Sequence, residues 1–250
     1  MAAPTPSVVV HPGAELLAET VSARLLTALV DAQATGRVPH WVLTGGTIAD
    51  AVHRAMAASP ARDAVDWSRV ELWWGDERFV AGDDPERNER QARDALLDRL
   101  PVDPTRVHPM PTPADAGDDP GAAAEVYARQ LAQAAASQER VAVPAFDIVM
   151  LGVGPDGHVA SLFPGQTVLG DERTVTGVHD SPKPPPRRVT LTMSALRQAR
   201  EVWFVVSGEA KARAVHLALS GADVVQTPAA GPRGSDRTLW LLDRPAASHL

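Results

Sequence analysis

The stretch LGVGPDGHVASLFPG, Leu151–Gly165, follows an apolar run and contains GVGPDG, which satisfies the G-x-G-x-x-G pattern of a dinucleotide-binding turn. Such a turn needs a strand before it, a full helix after it and an acidic residue about 20 positions on. Phe146–Leu151 (FDIVML) supplies the strand. The helix is missing, because only His158–Phe163 is available before Pro164-Gly165 ends it. Asp156 would also set a carboxylate where two phosphates must approach the backbone, which is repulsive. The glycines read better as a tight turn that presents Asp156 and His158 at the carboxyl edge of a buried strand. A carboxylate two residues from an imidazole can hold it in one tautomer and orientation, which suits a general base. The plainer alternative is a turn aspartate beside an idle surface histidine.

Outward from this turn, short apolar runs alternate with longer amphipathic ones. Strands are expected at Ser7–Val10, Trp41–Leu43, Val70–Trp74, Phe146–Leu151, Val189–Thr192, Val202–Val206 and Thr238–Leu242. Helices are expected at Ala14–Ala34, Ile48–Ala58, Pro85–Leu100, Gly121–Gln138 and Glu209–Leu219, with a long proline-rich loop over Pro101–Pro120. This alternation predicts an α/β fold with a mostly parallel sheet, in one domain over residues 1–250.

Composition narrows the function. A net charge of −7 offers no global attraction to nucleic acid or to an anionic membrane, so an anionic substrate would need a local cluster of cations. There is no cysteine, which excludes disulfides and thiolate metal sites. The first residues carry neither a basic n-region nor an apolar core, and no apolar run approaches the roughly 20 residues of a membrane span. A cytoplasmic protein is the expectation. No metal-binding motif is present, so no metal is expected, and no G-x-S-x-G elbow is present, so a water nucleophile fits better than a covalent one.

Other loops fall at the same expected sheet edge. Leu43–Thr47 (LTGGT) joins a strand to a helix; its backbone can cradle a phosphate, or Thr44 or Thr47 can simply cap the helix. Trp73–Val80 (WWGDERFV) sets Asp76, Glu77 and Arg78 between apolar neighbours, either as a solvated turn or as a partly buried cluster. Ser181–Thr192 (SPKPPPRRVTLT) holds Lys183, Arg187 and Arg188 in a stiff proline frame, and Val206–Val215 places Lys211 in a first helical turn.

Together LGVGPDGHVASLFP, WGDERFV, SPKPPPRRVTLT and SGEAKA resemble the 6-phosphogluconolactonase branch of the glucosamine-6-phosphate isomerase/6-phosphogluconolactonase family. The resemblance implies a three-layer α/β/α sandwich like that of the glucosamine-6-phosphate deaminases, with no cofactor. It implies hydrolysis of a small sugar-phosphate lactone, with His158 activating water and Asp156 orienting it. Gly45, Gly46, Thr47, Arg78, Lys183, Arg188 and Lys211 would bind phosphate and sugar, and Asp76 would hold sugar hydroxyls or water. Two departures stand out: Gly45–Ala49 reads Gly-Gly-Thr-Ile-Ala where the family has Gly-Gly-Ser-Thr-Pro, and Arg87 precedes Asn88 where it has Ser. The rival deaminase branch reads DGHIAFNEP and DEY; here Phe163 stands at the catalytic Glu and Arg78 at the Tyr. A third reading, a sugar-phosphate sensor, would carry a helix-turn-helix ahead of the first strand, where only a few residues stand here. Monomer and homodimer are both left open.

Overall fold

The computed structural model describes residues 4–135 and 142–250. The chain runs β1 (Ser7–His11), α1 (Ala14–Ala34), β2 (His40–Leu43), α2 (Thr47–Ala58), β3 (Glu71–Trp74), β4 (Asp76–Arg78), α3 (Asn88–Ala95), α4 (Pro113–Ala116), α5 (Pro120–Ala135), β5 (Ile148–Leu151), β6 (Val175–Val178), β7 (Arg188–Leu191), α6 (Met193–Leu196), β8 (Glu201–Val206), α7 (Ala212–Leu219) and β9 (Arg237–Asp243). Six strands form one sheet in the order β1-β9-β8-β5-β2-β3, parallel at every pairing. β5 is buried at every residue, and β8 and β9 at all but their first. Continuous burial requires cover on both faces, which a parallel sheet obtains from its crossover helices. The result is a three-layer α/β/α sandwich.

The core explains the strands. Trp41, Trp73, Trp203 and Trp240 are fully buried, and Phe204 stacks on Trp240 at 4.1 Å. Each large side chain withdrawn from water contributes about 1.5–3 kcal/mol. α1 meets this sheet through Leu17, Val21, Leu25 and Leu29, which recur at the spacing of one helical face. The edge strand β3 ends where the Tyr127 hydroxyl of α5 accepts the N–H of Trp74 at 2.9 Å. That hydroxyl gives the edge a partner that no further strand supplies.

A second, antiparallel sheet, β4-β7-β6, was not expected. The sequence places Asp76–Arg78 in a loop, because Asp-Glu-Arg has no β-propensity. Pairing with β7 imposes the extended form, with Asp76 opposite Thr190 and Arg78 opposite Arg188. β6 is short and holds Gly177, whose missing side chain lets backbone approach: a Cβ there would stand 2.6 Å from Gly121 N.

Boundaries shift for local reasons. The helix expected from Pro85 begins at Asn88, and a 3₁₀ turn at Leu97–Arg99 follows its end at Ala95. The expected strand from Phe146 begins at Ile148, and the helix expected to reach Gln138 is described to Ala135, its last three residues lying outside the described set. Within Pro101–Pro120, the 3₁₀ turn Pro104–Arg106 and α4 are folded, and Val107 bridges to Leu72. Among the described residues, no helix is long and apolar enough to cross a membrane.

His53 on α2 is 2% exposed and edge-on to Trp41, and its Nε2 has no hydrogen-bond partner among the described residues. Burial pushes its pKa down to about 4, against a smaller opposing pull from Asp50. The unfolded chain therefore binds the extra proton first, so this group costs stability as pH falls from its ordinary value of 6.5 toward 4. The loss from pH 7 to pH 5 is about 2 kcal/mol. Urea unfolding of wild type and His53→Leu at both pH values is expected to show that increment in wild type only; equal acid losses would remove His53 from the account.

Candidate active site

Three loops and the strand β4 meet at the carboxyl edge of the parallel sheet, where open α/β sheets hold ligands. The loops follow β2 (Thr44–Gly46), β5 (Gly152–Phe163) and β8 (Ser207–Lys211), β4 enters through Gly75 after β3, and with the proline loop before β7 they surround a cavity of about 870 Å³. Every residue expected to bind substrate, Gly45, Gly46, Thr47, Asp76, Arg78, Lys183, Arg188 and Lys211, lines this cavity, as does His158. Asp156 stands behind the imidazole. Arg187 turns away, pairing with Asp118 and lying 5.6 Å from the Phe79 ring.

The turn after β5 builds the central pair. Gly157 has φ +85°, and no regular helix follows it, in agreement with the reading against a dinucleotide. Asp156 Oδ1 and His158 Nδ1 are 2.5 Å apart. Lys183 Nζ lies 3.4 Å from the same carboxylate oxygen and 3.2 Å from Nδ1. Were Nδ1 to accept from Lys183, its lone pair would face the carboxylate at that short distance, which is repulsive. In the neutral imidazole the proton therefore lies between Nδ1 and Oδ1, and the lone pair is at Nε2, which has no hydrogen-bond partner among the described residues. Burial alone would raise the Asp156 carboxyl pKa. The hydrogen bond from His158 and the charges of His158 and Lys183 outweigh it and hold the group well below the usual carboxylate range. Phe163 packs on the imidazole at 4.5 Å between ring centroids and fixes its other face.

The glycine loop after β2 brings N–H groups to the cavity. Of the two readings of this loop, a cap of α2 by Thr44 or Thr47 does not form: Gly46, with φ +101°, takes the N-cap position and no side chain caps it. Among the described residues neither hydroxyl caps the helix, and the N–H groups of Gly45 and Gly46 find no backbone partner. Gly45 must lack a side chain, since a Cβ would meet Asn88 Oδ1 at 1.8 Å.

Charge in the cavity is strained in one direction. Burial pushes the Lys211 pKa down and the nearby Lys183 charge pushes it further, with Asp156 pulling back. Burial likewise lowers that of Arg188, against an opposing pull from Asp76. A bound anion relieves both groups. The Arg188 guanidinium also braces the proline loop, donating to the carbonyls of Pro185, Lys183 and Pro184 at 2.6, 3.1 and 3.0 Å. Arg78 donates to Glu86 O at 2.6 Å and Asn88 Oδ1 at 2.8 Å through Nη1, leaving the rest of its fork to the cavity.

Sequence reasoning missed three contributors. Asn88, 3% exposed, touches Asp76, Arg78 and the Gly45 position at once; the sequence marks it as the family's Asn after Arg87 but gives it no role. Ser161 is not a partner for His158; its hydroxyl donates to Asp76 Oδ2 at 2.7 Å and anchors that carboxylate. Glu77, read only as part of a charged triplet, is buried. Among the described residues no group of three His, Cys, Asp or Glu side chains is arranged to hold a metal.

The family model for glucosamine-6-phosphate isomerases/6-phosphogluconolactonase matches residues 12–240. The chain belongs to this family. It is 57% identical to a 6-phosphogluconolactonase of Streptomyces coelicolor, over 98% of this chain and 95% of that one. Among solved structures, the 6-phosphogluconolactonase of Trypanosoma brucei superposes with a TM-score of 0.79 at 27% identity, with full coverage of both chains. A monomeric glucosamine-6-phosphate deaminase has a TM-score of 0.75 at 20% identity, covering 98% of this chain and 100% of its own, a likeness of fold alone. Both branches of the family thus share this sandwich, and the residues around His158 must separate them.

Gly154 tests how tightly the pair is held. A Cβ there would fall 1.9 Å from His158 Nδ1 and 2.4 Å from Asp156 Oδ1. Gly154→Ala is expected to push the imidazole off its carboxylate and lower kcat at least about 100-fold, as for lost general-base catalysis, while circular dichroism and the thermal midpoint change little. Wild-type kcat in a folded G154A protein would show that the pair's geometry is not required.

Proposed function

We propose that this chain is a single-unit, cytoplasmic 6-phosphogluconolactonase that hydrolyses 6-phospho-D-glucono-1,5-lactone to 6-phospho-D-gluconate, in the oxidative pentose phosphate pathway, with water activated by His158. The observation that carries this reading is the 2.5 Å contact of Asp156 with His158 Nδ1, which leaves Nε2 as a base in a cavity edged by cations. The substrate is a small phosphorylated lactone; neither nucleic acid nor a membrane is a partner.

The substrate phosphate is held by the free N–H groups of Gly45 and Gly46 at the start of α2, by Thr47, and by cations drawn from Arg78, Lys183, Arg188 and Lys211. Asp76, fixed by Ser161, receives sugar hydroxyls. Nε2 of His158 removes a proton from water as its oxygen attacks C1, and the carbonyl becomes a tetrahedral oxyanion. Collapse breaks the bond from C1 to the ring oxygen, and the imidazolium returns its proton to that oxygen, which leaves as the C5 hydroxyl. Asp156 stabilises the transient imidazolium without itself taking the proton, as expected of a carboxyl held so far below its ordinary pKa.

Phe163 favours the lactonase over the deaminase branch. Aldose–ketose chemistry needs a carboxylate to move protons between C1 and C2, and the side chain against the imidazole here is a buried phenyl ring. His158→Asn is expected to lower kcat about 10²- to 10⁴-fold on freshly generated lactone, read through a coupled 6-phosphogluconate dehydrogenase, without unfolding the protein. Full activity in H158N, or ammonia released from glucosamine 6-phosphate by the wild type, contradicts the assignment.

A further inference from the structure

Asp76 and Arg78 line the cavity, and Glu77 between them turns to the opposite side of β4, where it is 1% exposed. Its carboxylate is fully engaged there. Oε1 accepts the N–H groups of Arg78 at 2.8 Å and Asn88 at 2.7 Å, and Oε2 accepts that of Glu89 at 2.9 Å. Arg87, equally buried, stands 3.8 Å from Glu77 and donates to Met110 O at 2.8 Å. α3 has no cap from its own N-cap residue, so Glu77 supplies the acceptors that its first turn lacks.

The consequence reaches the cavity through Asn88. With its backbone N–H tied to Glu77, the Asn88 amide donates to Asp76 O at 2.8 Å and accepts from Arg78 Nη1 at 2.8 Å. The same amide fills the space above Gly45. One side chain thus keys three elements of the site, and Glu77 fixes where it stands. An apolar residue would fill the Glu77 position without the cost of burying a charge; what the carboxylate adds is a defined geometry.

We propose that Glu77 is a positioning residue for the anionic end of the substrate, acting through Asn88 on Arg78 and the Gly45 loop. This rests on the reading of the cavity as a phosphate site. Burial pushes the Glu77 carboxyl up to about 7, opposed by Arg87 and by the backbone N–H groups of Glu89, Asn88 and Arg78, so the contacts that place Asn88 favour the ionised form against burial.

The test is a double-mutant comparison of Glu77→Gln, Asn88→Ala and the pair, read as KM and kcat for the lactone and as Kd for 6-phosphogluconate and inorganic phosphate by titration calorimetry. Glu77→Gln puts an amide N–H against the N–H of Glu89 and leaves Arg87 with Glu89 as its remaining carboxylate, at 3.9 Å. In the Asn88 background of the wild type it is expected to raise KM and both Kd values by about tenfold or more, the scale of one charged hydrogen bond, with kcat within about threefold. In the Asn88→Ala background the same substitution is expected to add less than about twofold, because the coupled residue is gone. Unchanged KM and Kd in folded E77Q, or equal fold-changes in both backgrounds, overturns the proposal. If E77Q lacks a cooperative unfolding transition, Glu77→Asp, which draws the carboxylate back by one methylene, is read by the same criteria. If the wild type does not hydrolyse the lactone, the functional reading falls, while the phosphate Kd series still decides the role of Glu77.

Discussion

The hydrogen bond between Asp156 and His158 depends on an empty space. Both side chains fold back over Gly154, and any side chain there would occupy the position of the Nδ1–Oδ1 contact. The turn that makes this possible needs Gly157 at positive φ, and it needs a rigid strand behind it, which the wholly buried β5 provides. The glycines of this loop thus serve a short carboxylate–imidazole contact, and the spacing that imitates a dinucleotide fingerprint has another physical cause.

Electrostatics supply the second constraint. The protein is acidic overall, yet one edge of its sheet gathers Arg78, Lys183, Arg188 and Lys211 around a single cavity. Holding these cations together costs free energy through desolvation and mutual repulsion, visible in the lowered pKa values of Lys211 and Arg188. Carbonyls of the proline loop, the Asn88 amide and the carboxylates of Asp76 and Asp156 hold the cluster in place. On the proposed function, a bound phosphate would gain affinity from relief of that repulsion as well as from new hydrogen bonds.

Much of this was legible in the sequence because the signals were local. Apolar runs such as FDIVML and VWFVV can bury only as central strands, and the turn chemistry of Pro155-Asp156-Gly157 fixes where Asp156 and His158 emerge. The β4-β7-β6 sheet was not legible, because Asp-Glu-Arg becomes a strand only through pairing with a segment 110 or more residues away. The same reason hid Asn88 and Glu77. Their meaning comes from β4, α3 and the Gly45 loop converging in space, and no spacing along the chain encodes it. Ser161 was hidden in the same way, because its partner is Asp76, 85 residues distant.

The central claim is that His158 delivers a water molecule to the lactone carbonyl. A single turnover in H₂¹⁸O, with enzyme in excess over freshly generated lactone and the product analysed by mass spectrometry, tests it directly. The account predicts one ¹⁸O in the C1 carboxylate of 6-phosphogluconate and none at the C5 hydroxyl in that first turnover. Unlabelled product, with the ¹⁸O retained on Asp156, would mean that the carboxylate itself attacks and that the imidazole does not activate water.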